Sequence, residues 1–335
     1  MISVDEKYMR MCFALAKKGY GKAAPNPMVG CVVLDRDGNL ISKGYHKKYG
    51  ENHAERDALL KLKNNEAEGG TLYVNLEPCS HFGKTPPCVD LIIKHKLKRV
   101  VIGMKDVNPK VDGITKLKNA GIEVDFVLEE EARFLNRMFI KTMTEKMPYV
   151  VLKTASTMDG KIASKTGSSK WITSETARKE VYRMRKEFDC IMTSSNTVIA
   201  DNPSMQHNFK CILDKDLRTP KDAKIYQQGE IYIASKENTP LKDKQLDIEA
   251  VLKNLYSKGI YSVFVECGGT LAGSMLKDNL IDEVYQFIAP KILNDNNGLS
   301  CFNGADIKEI SQAKNLKIYE LKQIEKDILI KAIVL

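Results

Sequence analysis

His53-Ala54-Glu55, then Thr71-Leu72-Tyr73-Val74-Asn75-Leu76-Glu77-Pro78-Cys79, then Pro86-Pro87-Cys88: read together, these pieces of one stretch decide the first half of the chain. One histidine and two cysteines are suitable ligands for a tetrahedral Zn²⁺ that keeps one corner open. A structural zinc site closes with a fourth Cys or His, and His81 is the one candidate nearby. Glu55 is not needed as a ligand and is left free to move protons. His53 and Cys88 each fall at the start of a predicted helix, and Cys79 is expected at another. Free N–H groups and positive partial charge there favour thiolate over thiol.

Outward from that stretch, strands and helices alternate. Ser3-Val4-Asp5-Glu6 is a capping-box pattern, followed by Tyr8, Met11, Cys12 and Leu15 at helical spacing. Pro25-Asn26-Pro27 turns into an apolar run, Met28 to Leu34, and Asp37-Gly38 makes a hairpin into Leu40 to Tyr45. Helices are predicted from about His53 to Lys63, Cys88 to His95, Ile114 to Ala120 and Glu129 to Thr142. Strands are predicted at Thr71 to Asn75, Arg99 to Gly103 and Glu123 to Val127. This order implies an α/β fold: a mainly parallel sheet covered on both faces, with an antiparallel hairpin at its start.

A second run begins after Lys146-Met147-Pro148. Strands are expected at Tyr149 to Ala155, Cys190 to Thr193, Cys211 to Asp214, Ile231 to Ala234, Ser262 to Val265 and Glu283 to Ile288. Ser174 caps a helix to Lys186, a second helix covers Ile248 to Lys258, and Leu316 to Gln323 with Asp327 to Val334 form a closing hairpin. The polar segment Gln228 to Lys244 reads as partly loop. Two domains, 1–146 and 147–335, follow.

The composition, 335 residues with 43% hydrophobic and 28% charged, is that of a soluble globular protein. No apolar run approaches a membrane span. Asp5, Glu6, Lys7 and Arg10 do not suit a secretory signal, so the expected compartment is the cytoplasm. The net charge of +9 would suit nucleic acid or a phosphorylated small molecule. Its spread along the chain, without interleaved aromatics, argues against a nucleic-acid surface. Of eight cysteines only Cys79 and Cys88 have a metal-like context; the rest read as buried free thiols.

His-x-Glu followed by Pro-Cys and a second Cys is the signature of the zinc deaminases, with two residues between the cysteines. Here there are eight, Ser80 to Pro87. The strings Pro25-Asn26-Pro27-x-Val29-Gly30, Gly44-Tyr45-His46, Leu76-Glu77-Pro78-Cys79-Ser80-His81 and Gly83-Lys84-Thr85-Pro86-Pro87-Cys88 resemble the bifunctional deaminase–reductase family of riboflavin biosynthesis. The long loop separates that family from tRNA, cytidine and dCMP deaminases. The resemblance continues through Lys153-Thr154-Ala155-Ser156-x-Met158-Asp159-Gly160-Lys161-Ile162-Ala163, Ser169-Lys170-Trp171-Ile172-Thr173, Thr197-Val198-x-Ala200-Asp201-Asn202-Pro203 and Glu266-Cys267-Gly268-Gly269.

The resemblance implies a cytidine-deaminase-like three-layer domain followed by a dihydrofolate-reductase-like domain. It implies zinc on His53, Cys79 and Cys88, with Glu55 catalytic. Asn26, His46, Lys84, Asp106 and Asn108 would hold a phosphoribosylated diaminopyrimidinone. NADPH would lie on Ala155, Trp171, Thr197, Asp201 and the run Gly268, Gly269, Thr270, Leu271, Ala272, Gly273 and Ser274. Ser169, Arg185, Met205, Asn208 and Glu266 would hold the reductase substrate, and the enzyme would be a homodimer or homotetramer. No Gly-x-Gly-x-x-Gly follows a strand, so a Rossmann site is not expected; the two glycines after Val263-Phe264-Val265 offer bare N–H groups at a helix start instead. Two departures stand out: Ser194 and Asn196 replace glycines of the family's cofactor loop, and Asn208 stands where the family carries a phosphate-binding arginine. Lys210, or Arg183 and Arg185, could then supply the positive charge. The alternatives are a nucleic-acid deaminase with an appended binding domain and a zinc-stabilised regulator without turnover.

Overall fold

Ser3 accepts the Glu6 N–H while the Glu6 carboxylate accepts the Ser3 N–H, both at 3.1 Å. This closed box starts α1 (Val4–Ala16), which buries Met9, Cys12, Phe13 and Leu15. The computed structural model describes residues 2–63, 65–83, 85–304 and 307–335, and it divides the chain into two compact units, Met1–Lys146 and Met147–Leu335. Among the described residues no helix is long and apolar enough to cross a membrane.

The first unit holds β1 (Gly30–Leu34), β2 (Leu40–Tyr45), α2 (Ala54–Leu59), β3 (Thr71–Val74), α3 (Cys88–Lys94), β4 (Arg99–Ile102), α4 (Gly113–Asn119), β5 (Glu123–Phe126), α5 (Glu129–Leu135) and α6 (Arg137–Glu145). Its sheet runs β2-β1-β3-β4-β5. The β3, β4 and β5 strands are parallel, and β1 is antiparallel to both β2 and β3. All five β1 residues, from Gly30 to Leu34, are buried. A Cβ on Gly30 would stand 2.1 Å from the Cys12 carbonyl oxygen, so α1 can lie on β1 only because that residue is glycine.

Two expectations about helices need correcting. The helix expected from Glu129 to Thr142 is two, because Asn136 interrupts it. Its buried amide accepts the Met28 N–H at 2.8 Å and donates to the Met28 carbonyl at 3.1 Å, pairing with that backbone as a strand would. Expected to reach Lys63, α2 stops at Leu59, and Leu62 closes a tighter turn onto the Leu59 carbonyl at 3.1 Å.

The second unit contains β6 (Tyr149–Thr157), β7 (Lys161–Ala163), α7 (Glu175–Arg185), β8 (Cys190–Ser194), α8 (Ser195–Asp201), β9 (Phe209–Leu213), β10 (Glu230–Ala234), β11 (Leu241–Lys242), β12 (Gln245–Leu246), α9 (Ile248–Ser257), β13 (Ser262–Glu266), α10 (Gly269–Lys277), β14 (Glu283–Ala289), β15 (Leu299–Ser300), β16 (Leu316–Ile324) and β17 (Asp327–Val334). Its main sheet has the order β10-β9-β8-β13-β6-β14-β17-β16. The six strands from β10 to β14 in that order are parallel; the closing hairpin adds β17, antiparallel to β14, and β16, antiparallel to β17. The sequence reading did not anticipate β7, α8, β11, β12 or β15; the four strands are two or three residues long, too short for periodicity to register. Ser194 starts α8 by accepting the Thr197 N–H at 3.3 Å, so a serine at this departure from the family is a helix cap. Parallel strands align their carboxyl ends, which brings Glu266, Ser194 and Thr157 to one edge of the sheet.

Candidate functional site

In the first unit, β3 delivers Cys79 and α2 delivers His53, its N-cap, and Glu55. Pro87 and Cys88 start α3. The His53 Nδ1 lies 3.5 Å from both the Cys79 and the Cys88 sulfur, and the three donor atoms lie within 4.8 Å of one another. Tetrahedral zinc with Zn–S near 2.3 Å and Zn–N near 2.0 Å puts nitrogen and sulfur about 3.5 Å apart, so the donor set fits that metal. His81 is not in this cluster. Cys79 does not start a helix: it sits in the loop after β3, and its sulfur accepts the Cys88 N–H at 3.3 Å. A second bond, between the two thiol side chains, is the largest influence lowering the Cys79 thiol, while Cys88 is raised by that same side-chain bond and by burial.

Glu55 is buried beside the cluster, and burial pushes its carboxyl up to about 7. His46 is buried next to it: its ring lies edge-on to His53 with centroids 5.5 Å apart, Nε2 is 3.1 Å from the Asn26 amide, and Nδ1 is 3.0 Å from the Asn52 carbonyl. Burial lowers its pKa, which favours a neutral ring. Asp106 is also raised, to about 6, chiefly by burial, and feels the charges of Glu77, Cys79 and His81. Its Oδ1 accepts the Asn108 N–H at 2.8 Å. Asn26, His46, His53, Glu55 and Asp106 therefore gather around one centre, while Asn108 turns its own side chain to the Lys110 N–H at 3.1 Å. Lys84 lies outside the described residues. Beside the centre opens a polar pocket lined by Lys47, Gly50, Glu51, Asn52, Asp57 and Thr85.

Sequence reasoning did not single out Glu77. Its buried carboxylate accepts the N–H groups of Gly113, Ile114 and Asp106 at 2.8, 3.1 and 3.1 Å, tying α4 and the Asp106 loop to the residues before Cys79. A charged residue next to the metal's Pro-Cys was the available signal.

In the second unit, Glu266 ends β13, and Arg185, the last residue of α7, binds it through two nitrogens at 2.5 and 3.0 Å. Lys153 completes the cluster at 3.4 Å. It also escaped the sequence reading as a site residue, although a lysine directly after the apolar run Tyr149-Val150-Val151-Leu152, within a predicted strand, was a visible anomaly. The parallel register sets Lys153 directly opposite Glu266. Burial alone would raise Glu266; the charges of Lys153 and Arg185 outweigh it and hold the carboxyl at about 2.

The Gly268–Ser274 run begins α10 directly after β13, and Gly268 caps the helix without a side-chain bond. A Cβ there would meet nothing within 4 Å, so the helix's amino end has open space for an anionic group. Thr197 and Asp201 lie on α8, and Ala155 lies on β6. Trp171 is exposed, with the Arg178 guanidinium 4.1 Å over its ring. Among the described residues no hydrogen bond joins Ser169, Met205 or Asn208 to the Arg185–Glu266 pair. Met205 is buried, and Asn208 is exposed with its carbonyl accepting the Glu230 N–H at 2.7 Å. Lys210 cannot replace a missing arginine. It is fully buried and its ammonium donates to the carbonyls of Ile225 and Gln228, where it secures the turn before β10. Arg183 is engaged by Glu180 on its own helix and by Glu187 just past that helix's end.

The description "Cytidine and deoxycytidylate deaminase zinc-binding region" fits residues 2–104, and "RibD C-terminal domain" fits residues 148–330. The chain is 41% identical to the riboflavin biosynthesis protein RibD of Aquifex aeolicus over 98% of both chains. It is 36% identical to that of Escherichia coli over 97% of this chain and 98% of the relative. It is also similar to the crystal structure of the diaminohydroxyphosphoribosylaminopyrimidine deaminase/5-amino-6-(5-phosphoribosylamino)uracil reductase from Thermotoga maritima, at 36% identity, a TM-score of 0.86 and 99% coverage of each chain.

Proposed function

Because this chain belongs to the RibD family of riboflavin biosynthesis and is, like it, a bifunctional deaminase and reductase, we propose how its two sites divide the work. The unit Met1–Lys146 deaminates 2,5-diamino-6-(5-phosphoribosylamino)pyrimidin-4-one. The unit Met147–Leu335 then uses NADPH to reduce the ribosyl group, giving 5-amino-6-(5-phosphoribitylamino)uracil. The observation that carries the reading is the His53–Cys79–Cys88 cluster with buried Glu55 beside it.

His53, Cys79 and Cys88 hold Zn²⁺, which when bound supplies a Lewis acid that makes water acidic enough to attack at neutral pH. Glu55 takes one proton from the attacking water and gives it to the ring nitrogen, then takes the second from the hydroxyl so formed and gives it to the departing amino group. One C–N bond breaks, one C–O bond forms, and ammonia leaves. Neutral His46, oriented by Asn26 and the Asn52 carbonyl, and the Asp106 loop with Asn108 hold the pyrimidine. The polar pocket that includes Lys47, Asn52 and Thr85 suits the ribose phosphate.

In the reductase, Ala155, Trp171, Thr197, Asp201 and the start of α10 bind NADPH, with its pyrophosphate toward the open face of Gly268. Glu266, fixed as a carboxylate by Lys153 and Arg185, orients the sugar, aided by Ser169, Met205 and Asn208. Hydride from NADPH adds to the sugar carbon bearing the nitrogen, the bond from that carbon to the ring oxygen breaks and the oxygen takes a proton from water, so orientation does most of the work. The free cysteines suit a reducing compartment, and a cytoplasmic homodimer or homotetramer completes the reading.

The test assays each half separately. Glu55→Gln is expected to lower ammonia release by roughly two to four orders of magnitude, the scale of lost general acid–base help, while NADPH oxidation on the deaminated intermediate stays intact. Full deamination by that variant refutes the role of Glu55.

A further inference from the structure

The run Gly268-Gly269-Thr270-Leu271-Ala272-Gly273 places its three glycines in different surroundings. A Cβ at Gly268 would meet open space. At Gly269 it would lie 2.1 Å from the Ser300 carbonyl oxygen, and at Gly273 1.7 Å from the Asn303 carbonyl oxygen. Four residues apart, Gly269 and Gly273 share one face of α10, and the backbone of residues 300–303 lies in the groove they leave. The Asn303 N–H donates to the Gly269 carbonyl at 3.0 Å.

The same segment is held by a second motif, the turn Asp159-Gly160-Lys161. The Asp159 carboxylate accepts the N–H groups of Leu293 and Asn294 at 3.1 and 2.9 Å. The Gly160 carbonyl accepts the Cys301 N–H at 3.1 Å. Lys161 donates to the Gly298 carbonyl at 3.2 Å, and β7 pairs with β15. Two motifs far apart in the chain thus clamp one stretch, residues 293–303.

We infer that residues 293–303 are a positioning strap for the reductase: Gly269, Gly273 and the Asp159-Gly160-Lys161 turn seat it, and the seated strap sets the amino end of α10. Only Gly268 of the three glycines faces the dinucleotide. The inference rests on the reading that NADPH lies at that helix end. It divides one glycine-rich run into a residue that leaves room for a ligand and two that leave room for the protein's own backbone.

The experiment uses the full chain, with NADPH affinity measured by titration and strap protection by hydrogen exchange. Gly273→Ala drives a Cβ into the strap's own backbone at Asn303, which must move away from α10. If the strap is then seated about a tenth of the time, the apparent Kd for NADPH rises about tenfold and exchange across 293–303 accelerates. Gly268→Ala is expected to weaken NADPH binding with strap exchange unchanged, because its Cβ meets only the ligand. Asp159→Ala, which leaves α10 untouched, releases the strap from its other side and raises both exchange and Kd to a smaller extent; it decides the matter should Gly273→Ala not fold. Unchanged exchange in both Gly273→Ala and Asp159→Ala, or a freed strap with an unaltered Kd, overturns the inference. A wild-type chain that does not bind NADPH overturns the cofactor reading itself.

Discussion

At Glu266, burial and charge act in opposite directions, and charge wins: with Arg185 and Lys153 on its two oxygens the carboxyl falls from 4.5 to about 2. A depressed carboxylate stabilises the fold above its unfolded pKa, and that contribution fades as pH drops toward the folded value. The linkage amounts to about 3 kcal/mol, present near pH 6 and progressively lost between about pH 5 and 2. Glu266→Gln should be markedly less stable than wild type near neutrality, since it leaves two buried cations without a partner. The gap between their urea midpoints should narrow by pH 3; a constant gap at both pH values counts against the charge cluster. Lys210 teaches the complementary lesson: a lysine close in sequence to the expected phosphate site is committed to two backbone carbonyls instead.

Among elements, the contact between β2 and α2 matters most for the first site, because α2 carries Glu55 and has His53 as its cap. The two meet at Gly44, where a Cβ would stand 2.4 Å from the Ala54 carbonyl oxygen and 2.6 Å from the Ala58 nitrogen. Ser42, on the same strand, donates to the Ala58 carbonyl at 2.7 Å. Gly44→Ala must therefore push the helix outward. Overpacking of this kind costs about 1–3 kcal/mol, and here it also moves one metal ligand against the two on the Cys79–Cys88 loop. Lower zinc content per chain and a lower melting temperature are the expected outcomes. A variant with full zinc and an unchanged melt would show that the contact is not needed to place His53. The family's glycine in Gly44-Tyr45-His46 thus has a packing reason as well as a place in a motif.

For the whole molecule, each unit has a hydrophobic core of its own, one around Val32, Leu72 and Ile102, the other around Leu152, Val263 and Leu252. All three metal-ligating candidates lie before Lys146, and the Lys153–Arg185–Glu266 cluster lies after it. Removing the metal with a chelator should abolish ammonia release while NADPH oxidation on the already deaminated substrate continues, and added zinc should restore the first activity. If both activities fall together on chelation, the division of labour between the units is wrong.

The α/β character of both halves and the short list of chemistry-bearing residues around His53, Glu55, Cys79 and Cys88 were legible in the sequence. Ligand type, strand–helix alternation and turn residues are local properties. The end of α2 and the break at Asn136 were not legible, because each involves a distant partner: the Ser42 hydroxyl takes the Ala58 carbonyl near the end of α2, and the Asn136 side chain pairs with the Met28 backbone. Nor could Lys153 be paired with Glu266 before the register of β6 and β13 set them side by side. The same holds for Gly269 and Gly273, whose purpose depends on the backbone of residues 300–303 arriving from later in the chain. Residue type and spacing select a chemistry; only tertiary packing decides which charge meets which and what each missing side chain leaves room for.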